Sequence, residues 1–149
     1  MLIRIIVGLV LIPAARAGDF RVEATMVTEP HGRELNTYVP DARNLYATFK
    51  AKGTKEGDNI RCVWIADDVG DAAPKETKID EKALSAKGDM DGEFSLSRPT
   101  TGWPLGKYHI DIYVNDELAT KVPFEIKAAG TSKKDKDQDK DEDEEESGD

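Results

Sequence analysis

Apolar residues recur at every second position through most of this chain, and that period decides what it can fold into. Tyr108, Ile110, Ile112 and Val114 share one face of an extended segment, and Val122, Phe124 and Ile126 share one face of the next. A repeat of two sends alternate side chains to opposite sides of a strand, whereas a helix needs a repeat near 3.6. Asn115 and Asp116 lie between the two runs and tolerate positive φ, so the pair is expected to close as a tight hairpin. The alternation also marks Phe20, Val22, Ala24 and Met26, then Leu45, Ala47 and Phe49, then Ile60, Cys62 and Trp64, then Phe94 and Leu96. Gly- and Asp-rich breaks at 52–59, 67–73 and 88–92 separate these runs. Residues 75–87 fit two descriptions, since Ile79, Ala83 and Leu84 would line a short helix or a ragged strand. Pro123 has no N–H to give a ladder, which predicts a sheet edge or a bulge for the final run.

These segments predict an all-β domain over residues 18–130, an antiparallel sandwich of six or seven strands. A barrel satisfies the same periodicity, and an α/β plan fits it less well. The piece Gly102-Trp103-Pro104-Leu105-Gly106-Lys107-Tyr108 tips the choice. Its Gly-x-Tyr entry into a long penultimate strand resembles the tyrosine corner of immunoglobulin-like sandwiches, and Trp64 is placed like their core tryptophan. The stretch 94–127, with its Trp-Pro-x-Gly-x-Tyr start, resembles the C-terminal part of Ig-like domains in exported bacterial proteins of unassigned role. The resemblance implies an Ig-like fold and export. It departs from antibody-type domains in lacking both partner cysteines, and it supplies no catalytic residue, because this scaffold hosts unrelated functions.

The ends of the chain read differently from its middle. Residues 1–17 carry arginines but no acid, an apolar stretch at 5–12, and Ala15-Arg16-Ala17, the layout of a cleaved secretory signal with its cut before Gly18. The apolar stretch is too short for a bilayer, which needs about 20 residues. The expectation is therefore export to the periplasm or beyond, with no membrane insertion after cleavage. Residues 131–149 hold no apolar side chain and are expected to be a disordered acidic tail. Asp135, Asp137, Asp139 and Glu146 match part of an EF-hand spacing, but Lys140 stands where that loop needs glycine and no helix pattern flanks it. Of the formal charge of −9 over 149 residues, the tail holds much of the excess, and no basic stripe marks a nucleic-acid surface.

Candidate chemistry is sparse. The single cysteine is Cys62 and the histidines are His31 and His109. Cys62 is in phase with Trp64, and His109 is out of phase with Ile110 and Ile112, so the two are expected on opposite faces of one sheet. On that basis Cys62 is a buried, inert thiol and His109 a solvated sheet-face residue. A hydrolase is the least favoured class and no enzyme is expected. No cofactor is expected either. Asp67, Asp68 and Asp71 crowd one turn and could offer oxygens to calcium, although aspartate is also common in turns for its local hydrogen bonds. Trp103, Tyr46 and Tyr113 are the candidate binding aromatics, their alternatives being a plug at the sandwich end and ordinary cross-strand partners. The leading expectation is a non-enzymatic interaction module for a protein or cell-envelope partner. The alternative is a low-affinity calcium or cation binder using residues 67–71 and the tail.

Overall fold

The computed structural model describes residues 19–130; the expected signal segment and the acidic tail lie outside the described residues. Eight strands follow one another: β1 Arg21–Val27, β2 Thr37–Tyr38, β3 Asn44–Lys52, β4 Glu56–Asp68, β5 Thr77–Lys87, β6 Met90–Ser97, β7 Gly106–Val114 and β8 Glu117–Ile126. They form a three-stranded sheet in the order β1-β3-β6 and a five-stranded sheet in the order β2-β8-β7-β4-β5. All pairings are antiparallel except the short one of β2 with β8. The first two strands belong to different sheets, and the chain crosses between sheets again after β2, β3, β5 and β6. The fold is an immunoglobulin-like β-sandwich.

The alternation read from the sequence is what fills its interior. Leu45, Ala47 and Phe49 from one sheet meet Ile60, Trp64, Ile110 and Ile112 from the other, all nearly or fully buried. Phe124 sits at the aromatic centre. Tyr108 stacks on it at 5.3 Å between ring centroids, and Trp64 meets it edge-on at 6.2 Å.

The expected tyrosine corner is present: the Tyr108 hydroxyl donates to the Pro104 carbonyl at 2.6 Å. Gly106 begins β7 at φ 148°, where a Cβ would collide with the Asp68 carbonyl oxygen, so the Gly of Gly-x-Tyr lets β7 enter against the end of β4. The β7–β8 hairpin turns on Asn115 and Asp116, at φ 48° and 67°. The Asn115 side chain also accepts from the Asn59 N–H and donates to Asp58, tying this turn to the start of β4.

Residues 75–87 resolve as strand. β5 pairs with β4 and carries a bulge where Trp64 and Ile65 face Asp80 and Lys78, so Ile79 is left over and the periodicity is broken at that point. Pro123 is an edge residue. The N–H groups of Glu125 and Lys127 donate away from β7, to Asn36 and Tyr38, and Pro123 belongs to the same outward-turned set. Its missing donor falls on the open side of β8 and costs no ladder bond. At the opposite margin, the Lys82 ammonium donates to the Ser95 carbonyl at 2.7 Å, holding β5 to β6 across the seam between the sheets.

Candidate functional site

The outer face of the five-stranded sheet carries the polar chemistry. Residues at 61, 63, 65 and 67 on β4 and at 107, 109, 111 and 113 on β7 point away from the core, and the register sets Arg61 beside Tyr113, Val63 beside Asp111 and Ile65 beside His109. Two arrangements share this face.

The first is built on Tyr113. The Arg61 guanidinium lies 4.4 Å from the centroid of its ring. Glu81 at 3.4 Å and Asp116 at 3.3 Å hold that guanidinium from either side. Directly opposite Tyr113 on β8 is Leu118, which is 51% exposed. A cation over an aromatic face, fixed by two carboxylates, keeps a planar surface with little rotamer freedom left to lose.

The second is built on His109, and it corrects the expectation of a solvated residue. His109 is on the outer face as its phase requires, yet only 4% exposed. β7 is an inner strand, so Ile65 flanks the imidazole on one side and Pro123 on the other. Its Nδ1 lies 2.6 Å from Asp67 Oδ1 and its Nε2 3.3 Å from Asp111 Oδ2. The Tyr113 hydroxyl donates to the same Asp111 oxygen at 3.4 Å, while Asp111 Oδ1 is buried and no described protein group reaches it. Alternation gives the face a residue occupies but not the neighbours that cover it, which is why the sequence missed this cluster. The signal that could have found it is the i, i+2 pair His109 and Asp111, which share one face of an inner strand.

The other expected site residues separate. Trp103 is corrected from a candidate surface aromatic to a core one: it is 3% exposed, and its indole N–H donates to the Ala42 carbonyl at 2.8 Å, closing the end of the sandwich. Tyr46 is on the outer face of the three-stranded sheet, so it cannot share a patch with Tyr113 on the far side of the molecule. A shallow groove of about 860 Å³ occupies that smaller sheet's face beneath the turn holding His31. The three aspartates do not converge. Asp67 turns to His109, Asp68 accepts from the Gly70 N–H and faces Lys75, and Asp71 lies in a 3₁₀ turn at Gly70–Ala72. Among the described residues no group of three or more His, Cys, Asp or Glu side chains forms a metal cluster. Cys62 lies on the core face opposite His109, and burial pushes its thiol up to about 12, with Asp111 adding to the shift, so it is held as the neutral thiol.

No protein-family model and no curated protein matches this sequence. Among solved structures the chain is similar to an immunoglobulin-like protein from Pseudomonas aeruginosa, at 14% identity and a TM-score of 0.47, covering 76% of this chain and 100% of that one. It is also similar to part of an alkylpurine DNA glycosylase from Pseudomonas fluorescens, at 15% identity and a TM-score of 0.46, covering 74% of this chain and 31% of the glycosylase. A β-glucosidase from Listeria innocua matches at 10% identity and a TM-score of 0.46, with 72% of this chain and 16% of the enzyme covered. This chain therefore spans about a third of the glycosylase and about a sixth of the glucosidase. Strand order and the tyrosine corner, and not these scores, carry the fold assignment.

Proposed function

We propose that this chain is an exported, non-enzymatic Ig-like module that recognises a protein or cell-envelope partner through the outer face of its five-stranded sheet. The observation that supports this is the Arg61–Tyr113 stack, pinned by Glu81 and Asp116 beside the exposed Leu118. Tyrosine and arginine are the side chains that most often dominate protein recognition, and a surface already ordered before contact loses less entropy on binding. Lys78, Lys107, Lys121 and Glu125 lie on the same outer face, all on the His109 side of this centre. Among the described residues no helix is long and apolar enough to cross a membrane.

Cross-linking and capture from cell-envelope extract test the proposal, comparing the wild type with Arg61→Ala, Tyr113→Ala and Tyr46→Ala. Recovery of one partner by wild type and Tyr46→Ala, with loss in the other two, supports it. Equal recovery by all four proteins, or the same loss in Tyr46→Ala, would place recognition elsewhere. Capture of nothing by the wild type counts against an interaction role.

A further inference from the structure

We infer that His109 and Asp111 form a binding site for one transition-metal dication on the outer face of the five-stranded sheet, with Asp67 as the carboxylate that orients the ring. The bond from His109 Nδ1 to Asp67 Oδ1, at 2.6 Å, places a proton on Nδ1 and leaves Nε2 with its lone pair. A carboxylate behind an imidazole in this way is the usual partner of a metal-ligating histidine, fixing its tautomer and raising its basicity. In that tautomer Nε2 faces Asp111 Oδ2 across 3.3 Å, lone pair against lone pair, in a place almost closed to solvent. Two acceptors facing each other there need a proton or a metal ion between them.

A proton on Nε2 would satisfy that contact, but it would leave Asp111 Oδ1 as it is, buried and reached by no described group. An unsatisfied buried carboxylate oxygen is costly. A hydrated dication answers both needs, because the metal takes Nε2 and Oδ2 and one of its waters donates to Oδ1. The separation suits it: two ligands on a tetrahedral zinc, each roughly 2.0–2.2 Å from the metal, lie about 3.4 Å apart. Imidazole with carboxylate selects zinc, cobalt, nickel or copper over calcium and magnesium, which prefer all-oxygen shells. Two protein ligands are fewer than a structural zinc site provides, so binding is modest and exchangeable, and the remaining positions belong to water.

The test uses the untagged full chain. Co²⁺ is titrated in by visible absorption and Zn²⁺ by calorimetry, for the wild type, His109→Gln, Asp111→Asn and Asp67→Asn. The expected result is one saturable equivalent in the wild type, weakened at least about tenfold in each variant. Ring resonances give a second readout that needs no substitution, since the chain has only His31 and His109. Paramagnetic Co²⁺ should shift His109 and leave His31 in place. Unchanged affinity in His109→Gln, shifts at His31 alone, or a response to Ca²⁺ but not to Zn²⁺ or Co²⁺ would each overturn the inference. So would the absence of binding at millimolar metal.

Discussion

Replacing Tyr108 by phenylalanine removes one oxygen from the sandwich and leaves everything else in place. The ring is 2% exposed and keeps its stacking on Phe124 at 5.3 Å, so no apolar contact is lost. What disappears is the 2.6 Å bond to the Pro104 carbonyl. A neutral hydrogen bond contributes roughly 1 kcal/mol net, and a carbonyl left without its donor adds to the loss according to its distance from water. Pro104 is half-buried, which sets the total at about 1–2 kcal/mol. A domain near 100 residues loses roughly 4–8 °C of Tm per kcal/mol, so the midpoint should fall by about 4–16 °C. Urea unfolding followed by tryptophan fluorescence measures the free energy directly, with the slope unchanged because the buried surface is unchanged. Tyr108→Ala, which also deletes the ring, should cost about 3–5 kcal/mol. If Tyr108→Phe unfolds at the wild-type midpoint while Tyr108→Ala is strongly destabilised, the ring alone anchors β7, and the corner bond has no energetic part in the fold.

Alkaline titration should destabilise the domain. Burial raises Cys62 from 9.0 to about 12 and Tyr108 from 10.0 to about 12, and raises Tyr38 further still. The unfolded chain therefore gives up these protons first, and stability is full below about pH 9 and falls towards about pH 12; a flat urea midpoint over that interval would refute it. Gly106→Ala should cost more than about 2 kcal/mol, since its φ is positive and the new Cβ meets the Asp68 carbonyl; a smaller loss would mean that β4 yields at that point. Pro123→Ala should change stability by less than about 0.5 kcal/mol, because the restored N–H points to the open edge; a larger gain would show a ladder bond that Pro123 blocks. Native Cys62 should resist thiol reagents until urea opens the sandwich, and rapid labelling in buffer would contradict its 0% exposure.

The parts of this molecule that were legible beforehand are those that a period of two can encode. Tyr108, Ile110 and Ile112 declared a strand and its buried face, and Asn115-Asp116 declared the turn that follows. Cys62 and His109 were correctly parted by phase alone. Segment 75–87 resisted because a bulge at Ile79 shifts the phase midway, so neither helix nor strand templates fit it throughout. Trp103 was ambiguous because a Gly-Trp-Pro turn does not reveal which carbonyl its indole will reach; the acceptor, Ala42, lies 61 residues earlier. The His109 cluster was hidden for a related reason. Its partner Asp67 is 42 residues away, on a neighbouring strand whose register no local pattern specifies.

Pro123 has a consequence beyond the strand that contains it. Open sheet margins are templates for runaway association, since each added strand exposes a fresh copy of the same row of donors and acceptors. On β8 that row is interrupted: at Pro123 an incoming chain finds an acceptor with no matching donor, next to the charged Lys121. A stack of copies joined along this edge would carry the same gap in every layer. The interruption works as a brake on fibrous growth and does so without weakening the domain, because it falls on the side of the strand where no internal bond was due.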